Sequence, residues 1–207
     1  GILTKTLTAE SAKQKIVQVS PLGRLNEGFI TAGQVQYAAA AGSFRKEGIA
    51  YTGAMQIFRQ IMSYDYLWKS IRVKGGAYGC SAALKKDGDG IFASFRDPHL
   101  KQTFEVYRSV PAYLRSFHAD DAEMTKYIIG TISGMDTPLS PSLYGSYCMR
   151  AYLSHISEKD MQKTRDEVLS AGEDTIRALA PAAEAVLKEG YLCVIGSREA
   201  ILRDSDI

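Results

Sequence analysis

Between Gly33 and Phe44 (GQVQYAAAAGSF) polar and apolar residues alternate, the period-two pattern of a strand with one face buried. From Tyr51 to about Arg72 the period lengthens. Ala54, Ile57, Phe58, Ile61, Leu67 and Ile71 recur at helical spacing, with a break or kink expected near Ser63 to Asp65. Two strand-like runs, AYGCSAALKKD and GIFASFRD, then flank Asp87 to Gly90 (DGDG). Asp-Gly supplies the positive φ that a tight turn needs, which predicts an antiparallel hairpin.

The second half reads as helices. Asp97-Pro98 predicts a helix start with an acidic N-cap, running toward Phe117 and kinked at Pro111. Asp120 and Glu123 make a capping-box pair ahead of MTKYIIGTISGM. Ser140-Pro141 opens a further helix. Ser157 caps a long stretch that reaches Gly190, with an interruption around Gly172 or Pro181. YLCVIGS (Tyr191 to Ser197) closes as a short, apolar, buried strand. A hairpin and helices that do not alternate with strands predict an α+β fold: a mainly antiparallel sheet covered on one face by helices.

Length and composition narrow the function. The 207 residues suit one large domain or two small ones, and 45% hydrophobic with 23% charged residues can bury a substantial core. A net charge of +2 offers no electrostatic case for nucleic acid or an anionic membrane. No apolar run approaches the roughly 20 residues that span a bilayer, and GILTKTLTAESAKQ lacks the h-region and cleavage site of a signal peptide. The polar opening leading to SPLGRLNEGF reads as a linker, so the chain is expected to be a domain of a longer protein. Cys80, Cys148 and Cys193 are odd in number and widely spaced, which argues against a disulfide framework; Cys80 and Cys193 read as core thiols.

Most chemical motifs fail on inspection. His155 to Lys159 (HISEK) is one residue short of H-x-x-E-H, and an ammonium cannot ligate zinc near neutral pH. DGDG lacks the remaining ligands of a calcium loop. KGGAYG follows a helix and precedes a strand, the reverse of a phosphate cradle, whose glycines open a helix. No G-x-S-x-G elbow occurs, although a triad dispersed along the chain leaves no local trace. What remains is IRVKGGAYG, Ile71 to Gly79. Gly75 and Gly76 let the backbone turn sharply and let another chain approach closely. Arg72 and Tyr78 flank that gap with a guanidinium fork and a phenol, donors suited to peptide carbonyls or to a developing oxyanion. Helix-end charge compensation and ordinary strand packing are the alternative roles for the pair.

QIMSYDYLWKSIRVKGGAYGCSA (Gln60 to Ala82) closely resembles the last domain of pitrilysin/insulinase-family zinc peptidases, in their presequence-protease branch. EGFITAGQVQYAAAAG, SFRDPHLKQTFEVY, IIGTISGMDTPLSP and YLCVIGS extend the resemblance over nearly all the chain from about Glu27. It implies a two-halved clamshell of repeated α+β domains whose N-terminal half holds zinc through the inverted motif. On that reading residues 1–26 are a linker and residues 27–207 the C-terminal domain of a larger peptidase. The domain binds no metal itself, and its partners are the zinc-bearing half and an unfolded peptide. Tyr78 would donate to the scissile carbonyl or its oxyanion. Arg72, with Gly75 and Gly76, would hold substrate backbone near the cut. The resemblance places such enzymes in bacteria and in organelles, and implies a bacterial cytoplasm ahead of an organelle matrix. Two other readings stand beside it: a non-catalytic structural or peptide-binding domain of the same fold, and a self-contained enzyme with a dispersed triad.

Overall fold

The computed structural model describes residues 26–204 together with Gln18, so the linker expected over residues 1–26 lies, but for Gln18 and Asn26, outside the described residues. The alternating segment forms β2 (Gln36–Ser43), preceded by a short β1 (Glu27–Thr31). Helix α1 (Ala54–Ile61) continues through two π-helical stretches, Met62–Tyr66 and Trp68–Lys74. The expected break near Ser63 to Asp65 is thus a widening of the helix, not an end to it. The hairpin is β3 (Gly79–Leu84) and β4 (Asp89–Asp97), joined through Gly88 at φ +96°.

Helices α2 (Lys101–Arg115), α3 (Asp121–Met135), α4 (Pro141–Leu153), α5 (Glu158–Leu169), α6 (Glu173–Arg177) and α7 (Ala180–Glu189) follow. Strand β5 (Tyr191–Ser197) and α8 (Arg198–Arg203) complete the described chain. Among the described residues no helix is long and apolar enough to cross a membrane.

The five strands form one sheet in the order β1-β5-β2-β4-β3, antiparallel except for the β1–β5 pair. Helices α1, α2 and α7 pack on it. On the covered face Ala38, Ala40, Ala82, Leu84 and Phe92 are buried. Phe92 meets Phe58 of α1 edge to face at 6.2 Å and Tyr107 of α2 at 5.6 Å, so one aromatic seam ties both helices to the sheet. Tyr37 and Ile195, paired across β2 and β5, are exposed on the other face. The fold is therefore the expected α+β sheet with helices on one side.

Local helix signals hold where the cap lies next to its helix. Asp120 accepts from the Glu123 N–H at 2.8 Å, while the Glu123 carboxylate accepts from the Asp120 N–H at 3.4 Å. Ser157 and Asp160 form a second such pair at α5, while the Ser140 hydroxyl alone caps α4 by accepting from the Leu143 N–H. The long stretch after Ser157 breaks between Leu169 and Glu173, around Gly172, and Pro181 sits in the first turn of α7.

Two expectations need correction. Asp97 is not a helix N-cap, because α2 begins four residues later with Leu100 as its uncapped N-cap position. Asp97 is instead fully buried at the end of β4, accepting from the His99 N–H at 2.9 Å and the Thr103 hydroxyl at 2.7 Å. Those two donors satisfy a carboxylate that would otherwise be costly to bury. Helix α2 spans Lys101–Arg115 with Pro111 buried inside it. Finally, β5 is not wholly buried: Tyr191 and Ile195 are exposed, because only one face of the sheet carries helices.

Candidate functional site

The junction from α1 to β3 is set by its backbone. Gly76 has φ +77° and donates its N–H to the Arg72 carbonyl at 2.9 Å, while the Ala77 N–H reaches the Ile71 carbonyl at 3.1 Å. A left-handed glycine with two nested bonds closes the wide last turn and satisfies its free carbonyls. At Gly75 a Cβ would lie 2.6 Å from the Ile71 carbonyl oxygen, so no side chain fits there. Both glycines have this local duty whatever else they do.

The wide helix is pinned from behind. Tyr66 stacks on Tyr113 of α2 at 4.2 Å between ring centres, and Tyr127 of α3 donates to Asp65 at 2.9 Å. Lys69 pairs with the same Asp65. Burial pushes the Tyr66, Tyr113 and Tyr127 phenols up, and the Asp65 carboxylate adds to the effect on the last two. All three phenols stay protonated, with Tyr66 donating to the Val106 carbonyl at 3.4 Å and Tyr127 to Asp65.

Tyr78 emerges just before β3 with 67% of its surface exposed, and its hydroxyl has no hydrogen-bond partner among the described residues. Its backbone is fixed, since the Tyr78 N–H donates to the Phe95 carbonyl at 3.1 Å and the Arg96 carbonyl at 3.4 Å. The Arg72 guanidinium lies 4.1 Å from the centre of the Trp68 ring and 5.8 Å from that of Tyr78. Arg96, from β4, stands 5.4 Å from the Tyr78 ring. Neither guanidinium makes an ion pair with a described carboxylate. Arg72, Gly75, Gly76 and Tyr78 thus sit together, joined by Trp68 and Arg96, which sequence reasoning did not single out. Trp68 stands four residues before Arg72, a helical neighbour that spacing alone can reveal. Arg96 carries no local signal, because only strand pairing brings it to Tyr78.

The rejected motifs take ordinary positions. His155 lies in a turn at φ +53° and Ser157 caps α5, so HISEK straddles a loop-to-helix junction. His118 pairs with Glu173 at 2.6 Å. Among the described residues no group of three or more His, Cys, Asp or Glu side chains could hold a metal ion. The described residues thus offer no set that fits zinc. Burial pushes the Cys80 thiol up to about 11, with the Asp97 charge adding and Arg72 opposing, so it stays protonated at neutral pH.

Comparison with known proteins identifies the family of the chain. A family model described as the PreP C-terminal domain matches residues 26–198. Protein HypA of Clostridium perfringens is 43% identical over 186 residues, covering 90% of this chain and 19% of that protein. Presequence protease 1, chloroplastic/mitochondrial, of Arabidopsis thaliana is 30% identical over 184 residues, covering 86% of this chain and 17% of that protein. The chain therefore spans less than a fifth of the length of these relatives. Among solved structures, an inactive peptidase domain from Pseudomonas fluorescens superposes with a TM-score of 0.65 at 13% identity, covering 95% of this chain and 48% of that one. Pitrilysin superposes with a TM-score of 0.56 at 12% identity, covering 91% of this chain and 21% of that one. These two show a shared fold. On the extent of the family match, the chain belongs to the PreP C-terminal domain family, the C-terminal domain of presequence-protease-type peptidases of the insulinase family.

Proposed function

We propose that this domain completes the substrate chamber of a zinc metalloendopeptidase that degrades short unfolded peptides, the zinc being held by another part of the parent polypeptide. Tyr78 donates a hydrogen bond to the scissile carbonyl and, more strongly, to the oxyanion that forms when the carbonyl is attacked. Arg72 binds carbonyl oxygens of the substrate backbone beside the cut, its fork held against Trp68. Gly75 and Gly76, without side chains, leave the turn narrow enough for the peptide backbone to come close to it. The observation that carries this reading is the exposed Tyr78 side chain on a fixed backbone beside the Arg72 guanidinium, neither polar group having a hydrogen-bond or ion-pair partner among the described residues.

On this reading the chain is inactive by itself, because the zinc and the groups that activate water belong to another part of the parent polypeptide. Relatives named for mitochondria and chloroplasts, and one from a bacterium, support an organelle matrix or a bacterial cytoplasm as its place of work.

The test is Tyr78→Phe in the full-length peptidase. The phenyl ring keeps the packing and loses only the donor. Loss of one oxyanion donor lowers kcat by about a hundred- to a thousandfold with KM little changed. An unchanged kcat on an unstructured peptide would leave the domain with the other role: a structural or peptide-binding wall of the same fold.

A further inference from the structure

Arg96 stands in a conformation that its residue type rarely adopts. Its φ is +49°, in the left-handed region that favours glycine. The cause is visible in the register. Gln36 of β2 faces Asp97 of β4, and Ala38 faces Ser94, so Tyr37 alone opposes the two residues Phe95 and Arg96. This is a β-bulge, a device that bends a strand and re-aims a side chain, found often beside functional sites. Here the bulge turns both polar parts of one residue toward Tyr78. The Arg96 carbonyl accepts from the Tyr78 N–H, and the Arg96 guanidinium stands over the Tyr78 ring. Glycine would relieve the backbone and lose the second contact.

We infer that Arg96 is a positioning residue: its bulged backbone and guanidinium, with Arg72, hold the exposed Tyr78 ring so that its hydroxyl presents one direction to the substrate. This rests on the reading of Tyr78 as an oxyanion donor. A side chain so exposed otherwise samples several rotamers, and each wrong rotamer removes the donor from the reacting oxygen. Two cations within cation–π range of one ring restrict that sampling without occupying the hydroxyl.

The experiment uses the full-length peptidase with Arg96→Gly, Arg96→Lys, Tyr78→Phe and the double variant Arg96→Gly/Tyr78→Phe. Glycine suits the bulge, so melting temperature is expected to hold. Arg96→Gly is expected to lower kcat about two- to fivefold, the size that an exposed cation–π contact supplies, with KM unchanged. Arg96→Lys, which keeps a cation over the ring, recovers most of that loss. In the Tyr78→Phe background Arg96→Gly costs nothing more, because no hydroxyl is left to aim. An equal loss in both backgrounds would mean that Arg96 touches substrate directly, and no loss in either would mean that the bulge is architecture alone. Both results overturn the inference.

A fluorine label on Tyr78 separates this inference from the reading beneath it. If Tyr78→Phe leaves kcat intact, the oxyanion role falls, yet the spectrum still reports on the ring. Movement of the fluorotyrosine line toward the free amino acid in Arg96→Gly supports the clamp, and an unmoved line overturns it.

Discussion

Helices α1 and α4 are similarly apolar and meet opposite fates. In α1 (AMQIFRQI) Ala54, Met55, Ile57, Phe58 and Ile61 are all buried. In α4 (PSLYGSYCMRAYL) none of the thirteen residues is buried, and Leu143, Tyr144, Met149, Tyr152 and Leu153 are each more than half exposed. The difference lies in arrangement. The apolar residues of α1 fall on one stripe, which meets Phe92 and its neighbours on the sheet. Those of α4 are spread around the helix, so no single face can be buried against the domain. Apolar content alone does not make a core helix. Because α1 is anchored, its far end can present Arg72 at a fixed place.

The largest expected contrast is energetic. Phe58 is fully buried and in edge contact with Phe92. Phe58→Ala should remove about 3–5 kcal/mol of stability, the usual cost of emptying a large aromatic site. Urea unfolding with an unchanged m-value checks it. A loss below about 1 kcal/mol would mean that α1 is not the anchor the packing describes.

The two regions also each carry a cysteine, and their reactivities should differ next most. Cys148 of α4 is exposed, whereas Cys80 of β3 is half-buried with its thiol pushed up to about 11 from 9.0. At pH 8 that leaves about a hundredfold less thiolate at Cys80 than at an ordinary thiol, and the thiolate is the nucleophile. Brief treatment with iodoacetamide should therefore mark Cys148 well before Cys80, as read by peptide mass spectrometry. The folded chain holds the Cys80 proton more tightly than the unfolded chain does, so this group's linkage lowers stability as pH rises between those two values. Equal labelling of both cysteines at pH 8 would contradict the burial.

How much of this was legible in the sequence depended on distance along the chain. The Asp120/Glu123 capping box, the Ser157 cap and the Asp-Gly turn are decided within a few residues, and each formed as read. Strand β1 was missed because its pairing partner, β5, lies more than 160 residues later, with Glu27 opposite Cys193. The site divides in the same manner. Arg72, Gly75, Gly76 and Tyr78 are neighbours in sequence, and the turn keeps them neighbours in space. Arg96 reaches Tyr78 only through the β3–β4 register and a bulge set by β2. The π-helical turns add a difference of their own, since a widened turn departs from the 3.6-residue period beyond Met62, although Leu67 and Ile71 are still buried as the spacing predicts.

The smallest predicted effect is the most direct check on α4. Leu143 has 57% of its surface exposed, so Leu143→Ala removes little buried area and exchanges one good helix former for a better one. Stability should change by no more than about 0.5 kcal/mol, as is usual for surface substitutions. Set beside Phe58→Ala, this gives two apolar-to-alanine changes in helices of one domain with costs about tenfold apart. A loss above about 1 kcal/mol at Leu143 would mean that something covers this face in solution, and the exposure of α4 would then belong to the isolated domain alone. A value near zero would confirm that Leu143 contributes nothing to holding the domain together, in keeping with α1, α2 and α7 as the helices that pack on the sheet and secure the Tyr78 junction at its edge.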